Sequence, residues 1–299
     1  RLTPKAICET RDASGAWTTR VFHDRAPIFR IETPLDPRAE GMYDRMNPLG
    51  AHEIVVETPQ HGLTMGQLAV EQLAKVVEVY RDRILDLKGD RRFRYVSLFK
   101  DQRAVTAALQ GHAHSQMLAS PVLPQVMQNE FRWSQDHFQK KERCLYCDTI
   151  EQEIRQDKRV VDQNPDFIAL GPFSSRAPYE MWILPLSHSA SFEKDLPDPG
   201  RVQSLASFFK NCLERVENLS QLLHIVLHTG PNLEARGWPQ GWWSTIAEDF
   251  HWHIEITPDI EGERRVFGSE GFYFNPIPAE EATLVLRALG PEAGSPRAE

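Results

Sequence analysis

Apolar residues recur at helical spacing in two long stretches of the chain and at strand spacing in several short ones. Residues 93–99, Phe-Arg-Tyr-Val-Ser-Leu-Phe, alternate as a half-buried strand does. Trp17 to Phe22 is rich in β-formers, and Glu53-Ile54-Val55-Val56-Glu57-Thr58 is a second β-prone run, stopped by Pro59. Ahead of the 93–99 run, Leu68, Leu73, Val76, Val77, Tyr80, Ile84 and Leu87 trace an apolar stripe that ends at Gly89. Thr64 and Gln67 have the spacing of a capping box, which predicts the start of that helix. From Gln128 to Arg143 the residues turn charged and aromatic, as suits a surface helix joining two units.

Beyond Cys144 the same order of signals returns: strands at 167–170 and 180–185, a His, a long amphipathic helix, a strand and a second His pair. His61 precedes His112 by 51 residues and His188 precedes His251 by 63, a difference that fits an insertion around Gly230 to Asp249. An internal duplication is therefore expected. The insertion carries Trp238, Trp242 and Trp243, which read equally as an ordered loop over a site and as core packing.

A chain of 299 residues suffices for one large or two modest cores, with two units expected, and 41% hydrophobic with 25% charged residues is an ordinary globular composition. The net charge of −8 argues against a general nucleic-acid surface, which needs clustered Lys and Arg. No apolar run approaches the roughly 20 residues that span a bilayer, and Arg1-Leu2-Thr3-Pro4 carries no signal core, so no membrane partner and a cytoplasmic location are expected. In a reducing compartment the pair in Cys144-Leu145-Tyr146-Cys147 favours a metal over a disulfide. Cys212 falls on the apolar stripe of Val202, Leu205, Phe208, Phe209, Leu213 and Val216 and reads as an inert buried thiol.

The chemistry is concentrated in Gly111-His112-Ala113-His114-Ser115-Gln116. On a strand His112, His114 and Gln116 share one face, while Ala113, Ser115 and Met117 share the other. His251, His253 and Glu255 repeat the pattern with a carboxylate in third place, which repels phosphate where an amide donates to it.

These motifs resemble the galactose-1-phosphate uridylyltransferase branch of the histidine triad superfamily, through Glu57-Thr58-Pro59-Gln60-His61, Gly111 to Gln116 and His251-Trp252-His253-Ile254-Glu255. The likeness extends to Trp182-Ile183-Leu184-Pro185 with His188, to His228-Thr229-Gly230-Pro231, and to Gly271-Phe272-Tyr273-Phe274-Asn275-Pro276. It implies an α+β fold of two histidine-triad-like halves, 1–130 and 131–299, each an antiparallel sheet with packed helices. It also implies a double displacement in which His114 attacks the α-phosphorus of a nucleotide sugar and carries a UMP-type nucleotide to a sugar 1-phosphate. Gln116 would donate to the nonbridging oxygens. Because an amide cannot protonate a leaving group, sugar 1-phosphates, which leave as anions, suit it better than alcohols or amines.

The resemblance further implies structural zinc on Cys144, Cys147, His188 and His251. It makes His61 and His112 ligands of an equivalent first site, whose two cysteines belong just upstream of Thr3-Pro4 and are not in this sequence; hydrogen bonding of both rings in the core is the alternative. The family's Asn-x-Gly and Gly-Ala-Ser runs are replaced by Asp101-Gln102-Arg103 and Ala107-Ala108-Leu109, and an Asn of the nucleotide-facing strand by Asp24. Asp24, Arg25, Asp101, Arg103 and Ser115 form the expected substrate-binding set, with the two arginines offsetting phosphate. A homodimer is a further implication. Two other readings stay open: a nucleotide-sugar or dinucleoside-polyphosphate phosphorylase that uses inorganic phosphate, and a non-catalytic nucleotide-binding zinc protein.

Overall fold

The computed structural model describes residues 5–102, 112–260 and 273–290. Elements run in chain order as β1 (Cys8–Arg11), β2 (Trp17–His23), β3 (Arg38–Glu40), β4 (Tyr43–Arg45), β5 (Ala51–His61), α1 (Val70–Gly89), β6 (Tyr95–Gln102) and β7 (His112–Ser120). Next come α2 (Gln125–Lys141), α3 (Leu145–Gln156), β8 (Val160–Gln163), β9 (Phe167–Leu170), β10 (Met181–Pro185), α4 (Phe192–Asp195) and α5 (Pro199–Glu217). β11 (Leu223–His228), α6 (Ile246–Asp249), β12 (His253–Pro258) and α7 (Ala279–Ala288) complete the fold.

The fold is α+β, and ten strands form one antiparallel sheet in the order β1-β2-β5-β7-β6-β11-β12-β10-β9-β8; β3 and β4 make a separate hairpin. The first five strands in that order come from the N-terminal part of the chain and the last five from the C-terminal part. They join where β6 pairs with β11, in the register Phe99↔Val226. Register then sets a single rung across the sheet: Phe22, Ile54, Gln116, Phe99, Val226, Glu255 and Trp182 are successive partners. Partners in an antiparallel pair share a face, so Gln116 and Glu255 project to the same side.

The opposite face carries the shared core. Val21, Val55, Leu98 and Met117 from one half and Ile225, Leu227, Ile254 and Ile183 from the other are buried in one cluster with α1 and α5. The cluster crosses the β6–β11 joint, so the two halves share it. Polar contacts fasten it: Glu217 of α5 accepts from Thr64 Oγ1 at 2.7 Å and from the Gly66 amide at 3.0 Å, and Lys88 of α1 meets Glu193 at 2.7 Å. Any β-carbon on Gly66 would fall 2.5 Å from Glu217, which accounts for a glycine there.

The Gln116 face is covered unequally. In the second half α2, α3 and α6 bury Phe131, Tyr146, Ile150, Ile246 and Phe250 against Ile168, Leu170 and Leu184. In the first half Ile54, Val56, Phe99, His114 and Gln116 stay half-buried.

Most sequence-predicted elements fall within a few residues of these bounds. The start of α1 is the exception. Gln67 does accept from the Thr64 amide at 2.9 Å, but the Thr64 hydroxyl turns to Glu217, and the helix begins at Val70 with no side-chain cap. The tryptophan-bearing insertion packs inward: Trp243 is buried 5.3 Å from Phe131, and Arg94 stacks on Trp238 at 4.7 Å.

Candidate active site and candidate metal centre

β7 places His114 and Gln116 on the open face because their spacing matches the strand period. The His114 ring turns Nδ1 to its own strand, donating to the His112 carbonyl oxygen at 3.1 Å. With the proton held there, Nε2 carries the lone pair; among the described residues it has no hydrogen-bond partner. A neutral imidazole in this tautomer is a nucleophile whose cationic product the His112 carbonyl supports.

Gln116 is fixed from the side. His52 of β5, only 5% exposed, lies with Nε2 at 3.0 Å from Gln116 Oε1 and 3.6 Å from Asp24 Oδ2, while its Nδ1 accepts from the Ile28 amide at 3.3 Å. Asp24 also accepts from the Ala26 amide at 2.7 Å, so the turn after β2 closes over His52.

Beneath the nucleophile lies a buried polar group on the core side of the sheet. Lys100 of β6 donates to the His114 carbonyl at 3.0 Å and to Glu57 Oε2 at 2.9 Å; Glu57 is fully buried and also accepts from Ser115 Oγ and, at 3.2 Å, from the Tyr80 hydroxyl. Burial and then the Glu57 charge push the Tyr80 phenol well above its usual pKa, so it stays protonated. Ser115, 1% exposed, belongs to this group. Its expected place among the substrate-binding residues is therefore corrected: strand alternation sends its side chain into the core, away from the His114 face.

The remaining substrate-binding expectations are dispersed. Asp101 lies on the open face of β6 but pairs with His224 across the joint at 2.6 Å. Arg25 is exposed on the turn after Asp24. Arg103 lies outside the described residues, as do Ala107-Ala108-Leu109 and Thr3-Pro4.

Cys144, Cys147, His188 and His251 do converge. The thiols occupy the N-cap and third positions of α3, His188 follows β10, and His251 immediately precedes β12; their ligand atoms all lie within 4.8 Å of one another. Both imidazoles aim Nδ1 at Cys147 Sγ, at 3.3 Å from His188 and 3.6 Å from His251. Each donates its Nε2 proton to a backbone carbonyl, Ala247 and Pro185 respectively, both at 2.9 Å. That is the outer support a metal-bound histidine needs, so the donor set fits a metal. The hydrogen bond from Cys144 and then the two imidazoles pull the Cys147 thiol well down, and sharing that proton pushes Cys144 up.

One group on this face carried no assigned role in the sequence reading. Glu130, His228, His253 and Glu255 form a second buried group of potential metal donors. His253 repeats the His114 geometry, with Nδ1 at 3.1 Å from the His251 carbonyl, but it is fully buried between Trp182 and Tyr146. Burial alone would lower the His228 pKa; Glu130 and Glu255 outweigh it and raise it. His61 and His112 lie with ring centroids 3.7 Å apart and planes tilted by 38°, and His112 Nδ1 donates to the Thr58 carbonyl at 3.1 Å; among the described residues no cluster of three donors forms around them. His52 was also missed, because a lone histidine at the head of an apolar run has no partner visible in sequence.

Residues 24–124 match the family model described as the N-terminal domain of galactose-1-phosphate uridyl transferase. The chain is 26% identical over 288 residues to an ADP-glucose phosphorylase of Arabidopsis thaliana, covering 93% of this chain and 76% of that protein. It is 25% identical over 281 residues to a galactose-1-phosphate uridylyltransferase of Thermotoga maritima, covering 89% and 83%. A solved uridylyltransferase structure shares the fold with a TM-score of 0.79 at 23% identity, over 97% of this chain and 93% of that one.

Proposed function

We propose that this chain, which belongs to the galactose-1-phosphate uridylyltransferase-like branch of the histidine triad superfamily, is a nucleotidyltransferase that carries a nucleoside monophosphate on His114. One observation carries the reading: His114 gives Nδ1–H to the His112 carbonyl on a sheet face left open, with the Gln116 amide next on that face. In the first step His114 Nε2 bonds to the α-phosphorus of a nucleotide sugar, and the bond to the sugar 1-phosphate oxygen breaks with its electron pair. The sugar 1-phosphate departs as an anion and needs no proton. In the second step another sugar 1-phosphate attacks the same phosphorus and the imidazole leaves neutral. Gln116 N–H groups stabilise the charge on the nonbridging oxygens in both steps. Residues 1–130 form the catalytic half in this reading, and 131–299 the half braced by zinc.

Cys144, Cys147, His188 and His251 would hold that zinc, whose closed ligand set supplies structural rigidity and no open coordination position. No helix among the described residues is long and apolar enough to cross a membrane. The likeness to a galactose-1-phosphate uridylyltransferase and an ADP-glucose phosphorylase supports nucleotide sugars and sugar phosphates as the partners, and a homodimer belongs to the same reading.

Incubation with labelled nucleotide sugar should leave acid-labile, base-stable nucleotide on His114. Unlabelled wild-type protein across a panel of nucleotide sugars would overturn the reading. A second reading keeps the covalent step and lets inorganic phosphate be the acceptor; the likeness to a phosphorylase supports it. Competition between phosphate and sugar 1-phosphates for discharge of the labelled enzyme separates the two.

A further inference from the structure

We propose that His52 is a positioning residue that fixes which way the Gln116 amide faces, and so makes the oxyanion donor of the reaction a preset one. The inference deepens the nucleotidyl-transfer reading and rests on it. A side-chain amide has two nearly isosteric ends, and left alone it turns either to an incoming phosphate. Here the polarity is dictated from a backbone group that cannot turn. The Ile28 amide is a donor only, so His52 Nδ1, 3.3 Å away, must accept, and the ring's proton must sit on Nε2. Nε2–H then donates at 3.0 Å, and the atom it meets on Gln116 must be the oxygen. Asp24 Oδ2, 3.6 Å from the same Nε2, reinforces the proton's place, and Asp24 is itself held by the Ala26 amide.

The consequence is that the Gln116 NH2 group is left for the open face. Both of its hydrogens are donors, and donors are what the nonbridging oxygens require as charge builds on them. Near-complete burial of His52 shields this chain of bonds from water, which would otherwise satisfy either orientation. The same arrangement gives Asp24 an indirect part in the site, by way of His52.

Two measurements test the inference. Nitrogen-15 NMR of wild-type protein should show His52 protonated at Nε2 and bare at Nδ1; the opposite tautomer overturns the proposal whether or not the protein turns over. Single-turnover labelling of His114 is then compared among wild type, His52→Leu, Gln116→Ala and the double variant. His52→Leu is expected to slow labelling about tenfold or more with little change in the half-saturating nucleotide-sugar concentration. The double variant should be no slower than Gln116→Ala alone, since a purely structural role would add to the loss. His52→Gln, which keeps one acceptor and one donor, should recover part of the rate and guards against misfolding of the leucine variant. Additive losses in the double variant, or a wild-type rate for His52→Leu, would reject the inference, whereas absence of label on the wild type rejects the transfer reading instead.

Discussion

Gln116 and Glu255 occupy one rung of the sheet, each on the second strand from the Phe99–Val226 joint and on the same face. Two residues before each stands a histidine that gives Nδ1–H to a carbonyl at 3.1 Å. The backbone geometry is thus repeated, and the chemistry is not. The Gln116 amide on the open side is half-buried, while Glu255 is buried with Arg176, His228 and His253. Burial by itself would raise the Glu255 carboxyl, but the His228 charge, the hydrogen bond from His253 and the Arg176 charge hold it well below the usual range, as a carboxylate.

Exchanging the two histidines' fates is the sharpest check on that asymmetry. His114→Ala should abolish covalent labelling and change stability by no more than about 0.5 kcal/mol, since the ring is partly exposed. His253→Ala should keep labelling per folded molecule while lowering the melting temperature, because it empties a fully buried position. Intact-mass spectrometry and thermal denaturation on the same samples read both outcomes.

Gln116→Ala should slow the single-turnover rate by about 10² through loss of oxyanion donors. Gln116→Glu, which copies the second half, should be slower still, because a carboxylate repels the phosphate it faces. A Gln116→Glu enzyme as fast as wild type would remove Gln116 from the mechanism.

Zinc should copurify with the protein, and Cys147→Ser should release it, since Cys147 is the sulfur both imidazoles approach. Metal analysis of the wild type and the variant gives both results, and chelation should lower the wild-type melting temperature. Labelling of His114 in the fraction that remains folded should persist, as that ring lies on β7 while the metal ligands lie on α3 and near β10 and β12.

Lys100→Met should cost about 3–5 kcal/mol in denaturant unfolding, because it leaves the Glu57 carboxylate buried without its cation. Combining it with Glu57→Gln should restore part of that loss. Were the double variant no more stable than Lys100→Met, the ion pair would not be the source of the effect.

How far the sequence foretold this molecule depended on whether a signal was local. Strand periodicity placed His114 and Gln116 together and set Ser115 apart, and the Cys144–Cys147 spacing marked one end of the metal group. Strand pairing was not legible, because nothing along 95–102 or 223–228 says that β6 and β11 meet. For the same reason the length of the chain, which suffices for one large or two modest cores, could not say that one cluster runs beneath the joint while a second lies on the other face. His52 and Lys100 escaped notice because their partners, Gln116, Ile28 and Glu57, lie 64, 24 and 43 positions away. The capping box at Thr64 misled because its hydroxyl, instead of accepting from the Gln67 amide, donates to Glu217, 153 residues on.

A symmetric pair of identical subunits must carry every substitution twice. In this chain both His-x-His strands lie in one polypeptide, on either side of the β6–β11 joint, and that constraint does not apply. Position 116 can keep an amide while position 255 holds a carboxylate, and one copy stays uncovered while the other is sealed under α2 and α3. The single continuous sheet therefore holds the same strand geometry twice, with side chains that differ from one position to the other.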